Sequence, residues 1–365
     1  MIRIHFKLIT PVRYSSCNGL SENIRSYLFQ MNPNTEISIQ KPESKVRMIH
    51  QIRFNRENAW HKEEYFEWSE GINFIVIVPS SDIVEKHREL LENINNGITR
   101  FGNDITLGCG VLKITNIDDE NGIQFVVPQK DNPSYVLFSM TYSMRDGLKI
   151  TDNGNDQQAI SEIGSNNIAV KANTLKGVFR NRCHKISTAY GIDSRCIDYM
   201  FGRREHNIKG CLIFHDSYFE NTVTIEKQVN YHIDKFTREI ICKDSKSYDI
   251  AMGDVQTSIE YLQNNDSALY RTEILFLITR VLLDLANQRC SIGGGWAQGR
   301  GFIEASRIVA KQGFITPATL FEIDFSRNKI QAGETELNLL FNAMKNQYKS
   351  GSSGVIVGKK HPLPL

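Results

Sequence analysis

A glycine-rich stretch at residues 291–303 limits the folds open to this chain, because an amphipathic helix precedes it and a strand follows it. The helix is predicted from apolar residues at i, i+4, i+7, i+8, i+11, i+12 and i+15, which are Tyr270, Ile274, Leu277, Ile278, Val281, Leu282 and Leu285. Rossmann and Walker phosphate loops run instead from a strand through the loop into a helix, whose N-terminus holds the phosphate. The order of elements here argues against a nucleotide site of either kind.

The same order of elements occurs near the start of the chain. Residues 2–9 alternate apolar and polar side chains, which predicts a half-buried strand, and residues 74–78 form a short apolar strand. A helix is predicted from Ser81 to Gly97, followed by a glycine-rich turn at 101–110 that leads into a strand. Two such units predict an α+β protein of tandem ferredoxin-like (RRM-like, βαββαβ) folds, with an ordinary α+β enzyme as the competing architecture.

The domain boundaries follow from where the second copy begins, near Tyr135. We expect a reduced N-terminal unit at 1–130, a full unit at 131–310 and a C-terminal extension at 311–365. The extension offers a strand at 316–325, a helix at 334–348 and, at 349–354, a Ser/Gly-rich stretch typical of a mobile tail.

Composition excludes several classes of protein. The apolar runs are far shorter than the roughly 18–20 residues of a membrane span, and the N-terminus lacks the greasy region of a secretory signal, so the expected location is cytoplasmic. Seven cysteines occur without a Cys-x-x-Cys pair, which argues against a disulfide framework or a zinc site. Cys183, His184 and Cys196 lack a fourth ligand at regular spacing, so no metal or other cofactor is expected.

Positive charge is concentrated in residues 171–209. The cations are Lys171, Lys176, Arg180, Arg182, Lys185, Arg195, Arg203, Arg204 and Lys209, against Asp193, Asp198 and Glu205. Nine minus three gives +6, while the whole chain carries +2, so the remainder sums to −4. Such localisation is typical of a site for a polyanion, although a basic helix face often serves solubility alone.

A helix is predicted within this basic segment, with Asn173 or Thr174 as its cap. Its apolar face comprises Leu175, Val178, Phe179, Cys183 and Ile186. Lys176, Arg180 and His184 share another face at i, i+4 and i+8, an arrangement that suits backbone phosphates.

The glycine loop is the second candidate for ligand contact. Gly293 to Gly295 permit close backbone approach, Trp296 can stack on a base and Arg300 can contact phosphate. A tight turn with a packed Trp is the alternative. Segments 47–56, 201–204 and 232–238 also mix cations with aromatic residues, as proteins that bind single-stranded nucleic acid do.

Taken in order, these segments resemble the RAMP superfamily of CRISPR-associated proteins. Residues 168–180 are similar to the family's Ile-Pro-Gly-Ser-Ser-Leu-Lys-Gly-x-x-Arg segment, and Phe201-Gly202 with 210–216 to its Phe-Gly and Gly-x-Leu-x-Phe-x-Asp strand. Residues 233–237 resemble Ile-Asp-Arg-x-Thr, and 292–301 the signature glycine loop. The chain departs from the pattern where Ala172-Asn-Thr174 replaces Gly-Ser-Ser and Arg238 replaces a Gly.

The first half resembles a reduced copy of the same unit, with 53–59 like the Arg-x-Asp-Arg-x-Thr segment and 107–110 like a shortened glycine loop. Two units in one chain resemble the type III-D-like subunit that binds the 5′ tag of the guide. The resemblance implies CRISPR RNA, other type III effector subunits and possible target RNA as partners of an antiviral complex, and no membrane. The implied RNA-binding residues are Lys176, Arg180, Arg182, Arg203, Arg204, Lys235, Arg238, Gly293, Gly294, Gly295, Trp296, Arg300, Arg53 and Arg56.

An alternative within the family is a metal-dependent endoribonuclease acting on target RNA or guide precursor. Backbone subunits of the family cut RNA with an Asp in the loop that here contains Asp146, Asp152, Asp156 and Glu162. Asp156 is the candidate catalytic residue, and Mg²⁺ would be needed only in this case. A small-molecule α+β enzyme is the third reading, but the sequence has no Gly-x-Ser-x-Gly, His-Glu-x-x-His or P-loop motif.

Overall fold

The protein divides into two compact units. The computed structural model describes residues 1–14, 38–40, 46–54, 60–68, 71–78, 81–103, 105, 108–127, 131–148, 169–233, 240–294 and 299–351. The first unit comprises Met1–Tyr135 with Gly313–Pro317, and the second comprises Val136–Gln312 with Ala318–Leu365. The strand Glu304–Gln312, which contains residue 310, pairs with the strand Ala318–Asp324 in one sheet of the second unit. The predicted three-part division of the chain stays a prediction.

The described residues of the first unit form two antiparallel sheets and two short helices. Its strands are β1 (Ile2–Leu8), β2 (Val12–Tyr14), β3 (Ser38–Gln40), β4 (Val46–Phe54), β5 (Trp60–Trp68), β6 (Asn73–Val78) and β7 (Leu112–Asp119). Its helices are α1 (Ser81–Lys86) and α2 (Arg88–Asn95). The sheet orders are β3-β6-β1-β7 and β2-β5-β4.

Local pattern explains most of the first unit. Ile2, Ile4, Phe6 and Leu8 of β1 are buried, which confirms the predicted alternation. The helix predicted from Ser81 to Gly97 is instead broken at His87, where the backbone leaves helical geometry (φ −108°, ψ 18°). The prediction of one continuous helix was therefore wrong. His87 is buried, as its spacing predicts, but apolar spacing records only which residues face the core and not whether the helix is continuous.

Asp131 organises the segment Gly313–Pro317 of the first unit. Its carboxylate accepts hydrogen bonds from the backbone N–H groups of Phe314 (2.7 Å) and Ile315 (3.0 Å) and from the N–H and hydroxyl of Thr316. Slight burial raises the pKa of Asp131, but these hydrogen bonds outweigh it and lower the pKa to about 2. The carboxylate is thus ionised and structural near neutral pH.

The second unit is built on an eight-stranded sheet with order β15-β14-β13-β8-β12-β11-β9, in which β10 pairs with β12. Its strands are β8 (Tyr135–Leu148), β9 (Ala169–Val170), β10 (Leu212–Phe214), β11 (Ser217–Ile233), β12 (Ile240–Leu262), β13 (Glu304–Gln312), β14 (Ala318–Asp324) and β15 (Lys329–Ala332). Its α-helices are α3 (Ala172–Tyr190), α4 (Ser194–Phe201), α5 (Asn265–Ala268), α6 (Arg271–Ala286) and α7 (Glu334–Gly351). The chain is therefore a mixed α+β protein with antiparallel sheets.

Helix α6 lies at the centre of this unit. Its buried positions include six of the seven predicted residues, Ile274, Leu277, Ile278, Val281, Leu282 and Leu285, and Tyr270 stands just before its first turn. Helix α7 begins at Glu334 as predicted and runs to Gly351, so it includes the first three residues of the stretch predicted to be mobile. Among the described residues, no helix is long and apolar enough to cross a membrane.

Candidate nucleic-acid interface

Helix α3 carries the centre of the predicted interface, and its N-terminus is held by an acid from a later segment. Neither Asn173 nor Thr174 is the cap: the helix starts at Ala172, and the N-cap residue Lys171 makes no side-chain capping bond. Asp216 accepts the N–H of Ala172 at 2.7 Å and lies 3.5 Å from the Lys171 ammonium. A carboxylate is favourable here because the first helical N–H groups are unsatisfied and the helix dipole is positive at this end. The predicted cap was wrong because the acceptor at the start of the helix is Asp216, which is 44 residues from Ala172 in sequence and not part of the local segment.

The predicted faces of α3 are otherwise confirmed. Leu175, Phe179, Cys183 and Ile186 are buried, while Val178 is half-buried. On a second face Lys176 is half-buried, and Arg180 and His184 are exposed. These three residues follow one another at successive turns of an unbroken helix, so their polar ends lie along one stripe.

Arg180 is fixed on the surface by the end of α4. Its Nη2 donates to the carbonyl of Gly202 at 3.3 Å, and its guanidinium carbon lies 5.9 Å from the centre of the Phe201 ring. The contact with an aromatic face is worth about 0.5–1 kcal/mol at an exposed site. These two contacts orient the Arg180 side chain. Because the side chain is also exposed, it can still bind an anion.

Arg182 points into the unit, where it meets a buried acid. Its Nε and Nη2 lie 2.7 and 2.6 Å from one oxygen of Asp284, a side chain that is only 1% exposed. Arg280 and Arg289 lie 3.4 and 3.5 Å from the other oxygen. We define Asp284, Arg182, Arg280 and Arg289 as the arginine cluster, whose formal charge is three minus one, or +2.

Arg203 is an exposed cation that already faces two acids. Its guanidinium lies 3.1 Å from Asp198 and 3.3 Å from Glu205. The hydrogen bond that Arg203 donates to Asp198, and then the one that it donates to Glu205, raises the pKa of Arg203. The neighbouring Arg204 lies in a short 3-10 helix (Arg204–His206), and its side chain falls outside the described residues. An incoming phosphate would compete with both carboxylates for Arg203.

The glycine loop between α6 and β13 is closed at its base by backbone contacts. The N–H of Ile292 donates to the carbonyl of Gly301 at 2.8 Å, and the N–H of Gly301 donates to Gly147 at 3.1 Å. Gly301 has φ +74°, and a Cβ there would lie 2.0 Å from the carbonyl oxygen of Ile292. A side chain cannot be accommodated at this position, so glycine is required by packing as well as by backbone conformation.

The other predicted loop residues fall into two groups. Gly293 has φ +77° and Gly294 is exposed, whereas Gly295 and Trp296 lie outside the described residues. Arg300 is half-buried, and its Nη1 donates to the carbonyl of Asp146 at 3.2 Å. Arg300 therefore ties the loop to the end of β8.

Two contacts show how α3 lies against α6. Arg182 meets Asp284, and the ring of Tyr190 lies 5.0 Å from that of Phe276. Eight residues forward along α3 thus correspond to eight residues backward along α6, so the helices are antiparallel. Going from Arg182 toward the start of α3 leads past Ala286, the last residue of α6, toward the glycine loop. The half of α3 that bears Lys176 and Arg180 accordingly lies at the same end of the unit as the loop.

Several predicted residues cannot be placed. Arg53 lies in β4 opposite His61, with its side chain outside the described residues. Arg56, Lys235, Arg238 and the candidate catalytic residue Asp156 fall outside the described ranges altogether. Within the described part of the chain, no group of three or more His, Cys, Asp or Glu side chains could hold a metal ion. In that part, Cys183 and Cys196 are free, buried thiols.

Sequence reasoning missed two acids of the site, Asp284 and Glu260, and it noted Asp216 only as the last residue of a family-like strand, without its role at the start of α3. The buried Glu260 carboxylate contacts the imidazole of His215, which follows β10 and directly precedes Asp216. Asp284 did leave a signal, because a charged residue between Leu283 and Leu285 on a buried helix is rarely left without a partner. The partner itself could not be read from the sequence.

Comparison with known proteins bears on the same segment. Residues 150–304 match the family model described as RAMPs, the RAMP superfamily. No curated protein sequence matches the chain. Among solved structures, a chain of a CRISPR RNA-guided surveillance complex is similar with 12% identity and a TM-score of 0.40, over 59% of this chain and 84% of that chain. The segment that matches the RAMP superfamily model holds α3, the arginine cluster and the glycine loop.

Proposed function

We propose that this protein binds CRISPR RNA as a subunit of a type III RNA-guided effector complex and holds the 5′ tag of the guide. The observation that carries the proposal is the position of Lys176 and Arg180 on the half of α3 that lies at the same end of the unit as the glycine loop. Cations on a rigid helix beside an exposed backbone loop suit a ribose-phosphate strand. The RAMP segment at 150–304 supports the same assignment.

The strand orders support the proposed tandem ferredoxin-like architecture. In the second unit the chain runs β8, α3, β11, β12, α6, β13, and the corresponding sheet order is β13-β8-β12-β11. That is the fourth, first, third and second strand of a βαββαβ unit. In the first unit the order β7-β1-β6-β3 has the same form, with α1 and α2 standing between β6 and β7.

The proposed phosphate contacts differ in how available their side chains are. Lys176 and Arg180 are the principal pair. Arg203 contributes only where phosphate displaces Asp198 and Glu205, and Arg182 and Arg300 hold the fold together instead. The remaining assigned residues, at 53, 56, 204, 235, 238 and 293–296, stay predictions.

The test is the salt dependence of RNA binding. We expect Lys176→Ala with Arg180→Ala to weaken binding of a guide-length RNA and to reduce the slope of log K against log salt by about 1.4, since each phosphate contact to a single strand contributes about 0.7. Fluorescence anisotropy over a series of salt concentrations measures both quantities. Lys7→Ala with Lys86→Ala removes two exposed lysines from the first unit and serves as the charge-matched control.

An unchanged slope in the α3 variant would refute the assignment of these phosphate contacts. Equal losses in both double variants would show that net charge alone governs binding. Incubation of the same RNA with Mg²⁺ and the Asp156→Ala variant tests the alternative: a site-specific product that this variant fails to form would identify an endoribonuclease.

A further inference from the structure

A pocket of about 180 Å³ opens between α6, the β14–β15 hairpin and α7 in the second unit. Apart from α6, the elements that form it come after residue 304 and so lie beyond the RAMP segment. Nothing in the proposed interface of α3 and the glycine loop uses it. Its wall chemistry is unusual because apolar, cationic and amide side chains all line the same small volume.

The apolar part of the wall suits a flat ring. It includes Leu283, Ile323, Leu337 and Phe341. The ring of Phe341 is held by an edge contact with Phe276, with centroids 5.3 Å apart, so it offers a fixed aromatic surface. A cavity of about 150 Å³ holds a benzene molecule, so the volume here is enough for one nucleobase-sized ring.

The cationic part of the wall suits an anion. Arg280, Arg289, Lys329 and Lys345 line the pocket, and Asp324 is the one carboxylate among its lining residues. Four minus one gives +3, and Asp324 is already engaged by the hydroxyl of Ser326 and the backbone N–H of Arg327. These contacts lower the pKa of Asp324, the hydrogen bond from Ser326 most of all. An uncharged ring would make no use of this surplus of positive charge, of which Arg280 and Arg289 share Asp284 as a partner.

The amide part of the wall suits the edge of a base. Asn287, Asn328, Asn338 and Asn342 line the pocket, and each amide offers both donors and acceptors. Asn287 is oriented by donating its Nδ2 to the carbonyl of Leu283 at 2.8 Å. A fatty acid has no use for such groups, and inorganic phosphate has no use for the apolar wall. A nucleotide uses all three parts.

We propose that this pocket binds one ribonucleotide, with its base against the Phe341 wall and its phosphate among Arg289, Lys329 and Lys345. The arginine cluster joins the pocket to the candidate interface, because Asp284 contacts Arg182 of α3 on one oxygen and Arg280 and Arg289 of the pocket on the other. The natural source of the nucleotide is an RNA strand held by α3. The inference that the nucleotide belongs to an RNA strand rests on the proposed function, whereas the inference that the pocket binds a nucleotide does not.

The test uses the full chain and a substitution at the mouth of the pocket that fills its volume. Asn342→Trp changes an exposed lining residue, and Leu339→Trp places the same side chain at a position of α7 that is 65% exposed and does not line the pocket. We expect Asn342→Trp to weaken binding of UMP and AMP at least tenfold, in line with the cost of losing one stacked base, with no change for Leu339→Trp. Lys329→Ala with Lys345→Ala, both exposed, should weaken binding of the two nucleotides while the fold is retained.

Photo-crosslinking of a guide-length RNA containing 4-thiouridine separates the inference from the proposed function. Crosslinks to peptides from 323–345, lost in Asn342→Trp, support a nucleotide taken from RNA. RNA that binds through Lys176 and Arg180 but neither crosslinks there nor responds to Asn342→Trp overturns the inference and leaves the proposed function standing. If RNA does not bind at all, the proposed function fails. The binding of UMP or AMP, and its loss in Asn342→Trp, then decides by itself whether the pocket binds a nucleotide. Binding of ribose 5-phosphate as tight as that of UMP, or of an acidic peptide in place of nucleotides, would also overturn it.

Discussion

Replacing Asp284 by asparagine should destabilise the second unit, because it removes the carboxylate that three guanidinium groups share. Asp284 is buried, and Arg182 places two nitrogens within 2.7 Å of one of its oxygens. A hydrogen bond to a charged group contributes roughly 1.5–3 kcal/mol. The longer pairs with Arg280 and Arg289 are partly exposed and add about 0.5 kcal/mol each. We therefore expect a loss of about 3 kcal/mol in the free energy of unfolding, near the lower end for breaking a buried ion pair.

Urea unfolding followed by far-UV circular dichroism measures this loss. Asp254→Asn is the matched control, since Asp254 is an exposed acid on β12 of the same unit and its substitution should change the free energy by less than about 0.5 kcal/mol. A loss below about 1 kcal/mol for Asp284→Asn would refute the reasoning, because it would mean that the cluster is held by packing alone.

The same variant series separates a structural cation from an RNA-binding one. Arg182→Ala should lower stability and show a coupling energy of at least about 1 kcal/mol with Asp284→Asn in a double-mutant cycle. If Arg182 is engaged as the distances indicate, its loss leaves the salt slope of RNA binding unchanged. A slope reduced by about 0.7 would show instead that Arg182 contacts phosphate.

Two further predictions concern stability. Gly301→Ala should lower the free energy of unfolding by at least about 2 kcal/mol, because the added Cβ clashes with Ile292. Gly299→Ala is the control: its φ is +80° and no described atom lies within 4 Å of the added Cβ, so it should cost about 1 kcal/mol. Equal losses in urea unfolding would show that the clash at Gly301 is relieved. The pKa of Asp131 is lowered from 3.8 to about 2, so its stabilisation is fully present above about pH 4 and is lost as the pH falls through about 2. Because the group is half-buried and screened in part by solvent, we expect the difference in unfolding free energy between the wild type and Asp131→Asn to fall from about 1 kcal/mol near neutral pH to nearly zero at about pH 2. A difference independent of pH would contradict this.

The elements that the sequence predicted well are those whose own residues decide their burial. The alternation in β1 and the helical spacing in α6 each repeat several times, so one face of each element is unambiguous. The long strands β11 (17 residues) and β12 (23 residues) escaped prediction. Their sequences are mostly polar, and they pair with each other over most of their length. Val255, Ile259 and Tyr261 of β12 are buried at alternate positions and could have indicated a strand, but most of the remaining sequence of the two strands lacks such a pattern.

Charge in the candidate site followed a similar division. Which cations stand on the outer stripe of α3 could be read from helical spacing, because Lys176 and Arg180 need only their own helix to be placed. Helical spacing could not show which cations are already paired with an acid, because the acids lie far away in sequence. Asp284 is 102 residues from Arg182, and Asp216 is 45 residues from Lys171.

The number of positive charges in a segment therefore indicates how many anionic groups it can pair with, and these include the carboxylates of the protein itself as well as the phosphates of a ligand. A buried acid such as Asp284 requires a cation wherever the chain can supply one, and here the basic segment supplies Arg182. The same logic applies to Arg203, which two acids of its own segment already face. Under the proposed function, the cations left to contact RNA are those whose side chains reach solvent without meeting a carboxylate. For α3 this argument selects Arg180 and leaves Arg182 to the fold, although the two are only two positions apart and chemically identical.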